Sequence, residues 1–149
     1  MRRPSGMTLL ELIIVMAILA AVAAIGVTNG RQAAQRQAAK GAVATFQQSV
    51  WQGATAAAAR GLTVELHRTA TGLALVNVAN DQVLREYDVP AGVSINAPNP
   101  ILRFTPPGKV DLATLDALPD SLVIDTGEGA YEVQISLIGE VKARPMGSG

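Results

Sequence analysis

A chain of 149 residues is enough for one modest domain once its apolar N-terminal segment is set aside. Its 12 basic and 12 acidic side chains balance, which argues against nucleic-acid binding driven by net charge and leaves only a local basic patch. With no cysteine there is neither a disulfide framework nor a thiolate metal cage, and the few aromatic residues leave the core to Val, Leu, Ile and Ala.

Positive charge at Arg2 and Arg3 stops abruptly, Ser5-Gly6 offers a small-residue cutting site, and Met7-Thr8-Leu9-Leu10-Glu11 opens an apolar run. Residues 12–30 carry no charge and would span roughly 28 Å as a helix, close to a hydrocarbon core of about 30 Å. A secretory signal peptide is the ordinary alternative. Two details oppose it. The Ser-Gly site lies before the apolar run, and the run continues without proline into helix-compatible sequence. The positive end then predicts a cytoplasmic N terminus with the rest of the chain across the membrane.

Gly6, Met7 and Glu11, set in Gly-Met-Thr-Leu-Leu-Glu-Leu-Ile-Ile-Val, resemble the class III leader of type IV pilin and type II secretion pseudopilin precursors. The usual first mature residue is Phe, so Met7 departs mildly. The resemblance implies cleavage between Gly6 and Met7 by a prepilin peptidase, N-methylation of Met7, and retention of the apolar helix. It divides the chain into a leader at 1–6, a transmembrane and assembly helix at 7–30, an amphipathic stem at 31–60 and a β-rich periplasmic head at 61–149. Glu11 becomes the assembly residue, meeting the amino terminus of a neighbouring subunit. Losing one partner of such a desolvated pair leaves an uncompensated charge, so the pair acts as a register device rather than as glue.

Residues 31–60 lack proline and are rich in Ala and Gln. Val43, Phe46, Val50, Ala54 and Ala57 recur at spacings of three and four and make one apolar stripe, with Gln48 and Gln52 mostly off it. From Met7 to Arg60 a continuous helix would reach roughly 81 Å. Arg31, Arg36 and Lys40 form a basic collar, read as a solvated face.

Beyond Gly61 the period changes. Leu62, Val64 and Leu66 alternate with Thr63, Glu65 and His67, the pattern of a half-buried strand. Turns at 69–72 and at Asn80-Asp81 bound strands at 73–78 and 82–89. Pro90, Gly92, Pro98 and Pro100 break the next stretch, before short strands at 101–104 and 122–124. Tyr131, Val133, Ile135 and Leu137 give the cleanest alternation, and Gly139 turns the chain into 140–144. The expected class is α+β, a long helix packed on an antiparallel β-sheet head.

Phe104-Thr105-Pro106-Pro107-Gly108, the strand at 131–137, Gly139 and Val141-Lys142-Ala143-Arg144 are similar to the C-terminal half of the GspH/FimT family of minor pseudopilins and minor pilins. The missing C-terminal cysteine pair, and the missing proline near 27–29, separate the chain from major pilins and favour a minor subunit, with the fibre tip as a candidate position. The resemblance implies an inner-membrane, single-pass protein with a periplasmic head. Its partners would be other pilins or pseudopilins, the prepilin peptidase, an inner-membrane assembly platform and the lipid bilayer.

No cluster makes an active site. His67 is the lone histidine and lies on the polar side of its strand, no serine has a visible base partner, and no cofactor is expected. Asp111, Asp116, Asp120, Asp125 and Glu128 lack the spacing of a calcium loop, so no metal site is assigned. A second functional reading makes the head a DNA receptor at a pilus tip, touching DNA through Lys142 and Arg144; the mature chain's 10 basic against 12 acidic residues disfavours it. A membrane-anchored periplasmic enzyme is the third and has the least residue support.

Overall fold

A computed structural model describes residues 9–127 and 129–146 of the chain. The leader at 1–6 lies outside the described residues. The chain divides into two compact units, Met1–Arg36 and Gln37–Gly149.

One helix, α1, runs over Leu9–Arg60. No proline interrupts it, and the sequence is dense in Ala, Leu and Gln, whose side chains cost little helix stability. Glu11 in the first turn and Arg60 in the last complement the helix dipole. Gly61, at φ 63°, ends the helix in the left-handed conformation that a residue with Cβ rarely adopts.

The expected membrane-inserted half of the helix is corrected. Among the described residues, no helix is long and apolar enough to cross a membrane. The membrane-inserted helix and the inner-membrane single-pass topology with a periplasmic head fall on that finding.

In the second unit, the expected single sheet is two. The first holds β1 (Val64–Arg68), β2 (Gly72–Asn77), β3 (Gln82–Asp88), β5 (Leu102–Thr105) and β6 (Lys109–Val110), in the order β3-β2-β1-β5-β6. The second holds β4 (Ser94–Ile95), β7 (Leu122–Asp125), β8 (Ala130–Ile135) and β9 (Val141–Pro145), in the order β4-β7-β8-β9. All described pairings are antiparallel. A short helix, α2 (Leu112–Asp116), follows β6 and is capped by Asp111, whose carboxylate accepts from Ala113 N at 2.9 Å.

The stem stripe packs as its periodicity predicts. Val43, Phe46, Val50 and Ala57 are buried, and Ala54 is half-buried. They share one core with Leu66, Leu73, Leu75, Ile101 and Phe104 of the first sheet side and Leu122, Ile124 and Val133 of the second. Two glutamines tie the helix to both sheets. Tyr87 Oη on β3 donates to Gln52 Oε1 at 2.7 Å, and Gln47 Nε2 donates to Val141 O on β9 at 3.2 Å. Gln52 is therefore half-buried rather than turned off the packed face. At Gly53 the helix comes so close to the Phe104 ring that a Cβ would stand 2.7 Å from Cδ2. That position has room for hydrogen only.

The strands at 64–68, 72–77, 82–88, 102–105, 122–125 and 130–135 fall where alternation and turn residues place them, within a residue or two. Leu137 does not continue β8. It sits 46% exposed in the 136–140 turn, which is closed by Gly139 N donating to Ser136 O and Ser136 N to Glu140 O, both at 2.9 Å.

Candidate functional site

The N-terminal unit presents one chemical feature. Ten large apolar side chains among residues 9–22, from Leu9 at 77% to Val15 at 44%, are all exposed. They occur on every side of the helix, and a helix apolar all round is one that some other surface covers. Burying a side chain of this kind is worth about 1.5–3 kcal/mol, so ten of them represent a large unsatisfied demand for apolar contact. Glu11 is the one acid in this stretch and lies in the first turn of α1, where the dipole favours a carboxylate. Gly6 and Met7, the expected processing pair, lie outside the described residues. Lys40 of the basic collar is exposed; the side chains of Arg31 and Arg36 lie outside those described.

On the head, Lys142 and Arg144 are both exposed, two residues apart on β9. They do not form an unopposed basic patch. Lys142 Nζ lies 3.4 Å from Glu140 Oε1, and Arg144 is registered opposite Glu132 on β8. Glu132 in turn accepts from Ser121 Oγ at 2.9 Å. Of the other dispersed cations, Arg103 is engaged by Glu65, Arg68 by Ile95 O, and Arg85 stands 5.6 Å over the Tyr87 ring. Among the described residues, Lys142 with Glu140 and Arg103 with Glu65 are the contacts that set a carboxylate against one of these cations.

The acidic portion is likewise engaged in part. Asp111 caps α2, and Asp125 Oδ1 accepts from Gly127 N at 2.9 Å; Glu128 lies outside the described residues. Among the described residues no three His, Asp or Glu side chains gather as a metal-holding group. Ser49 donates to Phe46 O and Ser121 to Glu132, while Ser136 Oγ accepts from Glu140 N.

His67 is not simply solvated. Its Nε2 donates to Glu65 Oε2 at 2.9 Å, and Glu65 Oε1 takes two N–H groups of Arg103, Nε at 2.8 Å and Nη2 at 2.6 Å. Burial pushes the Glu65 carboxyl up, but the hydrogen bonds from Arg103 and His67, with their charges, outweigh it and hold it below the usual carboxylate range. Glu65 and His67 share the outer face of β1, and Arg103 lies directly across from Glu65 on β5. The cluster braces the centre of the first sheet. The alternation at 62–67 places Glu65 and His67 on one polar face, but no local signal announces a partner 38 residues away.

Residues 1–27 match the family model described as the prokaryotic N-terminal methylation motif. The chain carries the N-terminal motif characteristic of type IV pilin-like proteins. With its N-terminal helix and β-sheet head, it is consistent with a protein of the pilin and pseudopilin class. No curated protein and no solved structure matches the chain.

Proposed function

We propose that the chain is a minor pilin or pseudopilin of the GspH/FimT kind, a non-catalytic subunit that enters a type IV pilus or type II secretion pseudopilus through its N-terminal helix. The carrying observation is the union of a methylation motif over 1–27 with a helix whose large apolar side chains over 9–22 are all exposed. A subunit helix of this kind finds its cover in the matching helices of neighbouring subunits. The prepilin peptidase cuts between Gly6 and Met7 and methylates the new amine. Glu11 faces the amino terminus of an adjacent subunit and sets the axial register, since mispairing would strand a charge among apolar side chains. The fibre's other subunits and its assembly platform are the partners this reading requires.

Replacing Glu11 with Ala tests the register role. Incorporation into fibres should fall at least about tenfold, the scale of an uncompensated buried charge, while the circular dichroism and unfolding midpoint of the chain stay unchanged. Wild-type incorporation by Glu11→Ala would overturn the role assigned to this residue.

A further inference from the structure

A cavity of about 300 Å³ opens where β1 turns into β2, and the contact of Arg68 with Ile95 O borders it. Two turns form its walls. In the first, Thr69 N donates to Gly72 O at 2.9 Å and Gly72 N donates to Thr69 Oγ1 at 3.0 Å. In the second, Val93 N donates to Pro90 O at 3.3 Å, with Gly92 at φ 88°. Val89 N donates to Thr71 O at 3.1 Å and fastens one turn to the other, and buried Ile95 adds an apolar side.

The lining holds one formal charge, Arg68, and no carboxylate. Arg68 is held at three points. Asn99 clamps its backbone, Oδ1 accepting from Arg68 N at 2.9 Å and Nδ2 donating to Arg68 O at 3.3 Å. The guanidinium is anchored through Nη1, which donates to Ile95 O at 2.5 Å. Nε and Nη2 are left without a protein acceptor among the described residues, and these two N–H groups share the edge of the guanidinium that matches the two oxygens of a carboxylate. The N–H groups of Ala70, Thr71, Ala91 and Gly92 also find no protein acceptor among the described residues. About half of the lining is apolar, supplied chiefly by Val89, Pro90, Val93 and Ile95.

We propose that this cavity binds a compact carboxylate carrying a short aliphatic body, the chemistry shared by a small free acid and the end of a peptide chain. An anchored guanidinium loses little further freedom on binding, because its backbone and one nitrogen are already fixed. The volume lies at the small end of ligand sites and admits about one or two residues' worth of atoms.

Titration of the full chain by amide NMR tests the site with three probes: N-acetyl-alanyl-alanine, its C-terminal amide, and butyrate. Both acids should produce saturable shifts confined to residues 68–72 and 89–95, and the amide none. Tighter binding of the peptide acid assigns a chain end, and tighter binding of butyrate assigns a free acid. Arg68→Gln should weaken the acids roughly tenfold or more. Thr71→Asp, which adds a repelling carboxylate at an exposed turn position, should do the same without touching Arg68, so the test survives if Arg68→Gln unfolds. Equal shifts from the amide, unchanged binding in Thr71→Asp, or shifts from inorganic phosphate with none from either acid would overturn the proposal.

Discussion

Two stretches of one helix, α1, meet opposite fates. Over 42–57, Val43, Phe46, Val50 and Ala57 are buried against strands of the same chain, and the outward positions are mostly polar or small. Over 9–22, ten large apolar side chains are exposed, with no single polar face to set against them. The helical backbone is common to both, so helix propensity does not distinguish them. The pattern of side chains does. A one-sided stripe is satisfied within the chain, whereas an all-round apolar surface calls for cover from several directions at once.

The largest effect expected from this contrast is on Phe104. Truncating it to Ala should cost about 3–5 kcal/mol in urea unfolding, because its ring fills the contact with Gly53 and is fully buried. Ile14→Ala, on the exposed stretch, should change the same stability by no more than about 0.5 kcal/mol. Comparable losses from the two substitutions would break the distinction between a packed and an uncovered half.

Glu65→Gln should cost roughly 1.5–3 kcal/mol near neutral pH, as a charged hydrogen-bond hub is replaced by a neutral one. The sign follows from the lowered carboxyl. Its contribution is complete above the unfolded value of about 4.5 and is lost as pH falls through the lower folded value. Wild type and Glu65→Gln should therefore converge in stability as acid is added below pH 4.5. A gap that stayed constant down through that range would refute the role of the ionised carboxylate.

A glycine pair gives the finest comparison. Gly53→Ala should destabilise by about 1–3 kcal/mol despite the better helix former, since the new methyl meets the buried Phe104 ring. At Gly41 nothing stands within 4 Å of the place a methyl would take, and Gly41→Ala should stabilise by up to about 1 kcal/mol. Thermal unfolding of both variants reads the two signs side by side.

What the sequence carries legibly is its local periodicity. The three-and-four spacing from Val43 to Ala57 predicts the buried stripe, the alternation at 62–67 and 131–137 predicts two strands that form over 64–68 and 130–135, and Asp81 (φ 54°) and Gly139 (φ 76°) occupy the turns assigned to them. Division of the strands into two sheets is not legible, because it depends on β1 pairing with β5 and β4 with β7 across long separations. Two-residue strands such as β4 and β6 are too short to show a period. The Arg68–Asn99 clamp has the same origin, a contact 31 residues apart with no motif to announce it. The membrane assignment fails for a different reason. Among the described residues no helix is long and apolar enough to cross a membrane, and an uncharged run in the sequence does not by itself supply one.

The most direct test concerns the N terminus of the mature chain. Mass spectrometry of subunits recovered from assembled fibres should find a chain that begins at Met7, carries one methyl group on its amine and keeps residues 9–24. A chain that retains Met1, or one cut beyond residue 27 so that the apolar stretch is lost, would contradict the assignment of that stretch to assembly.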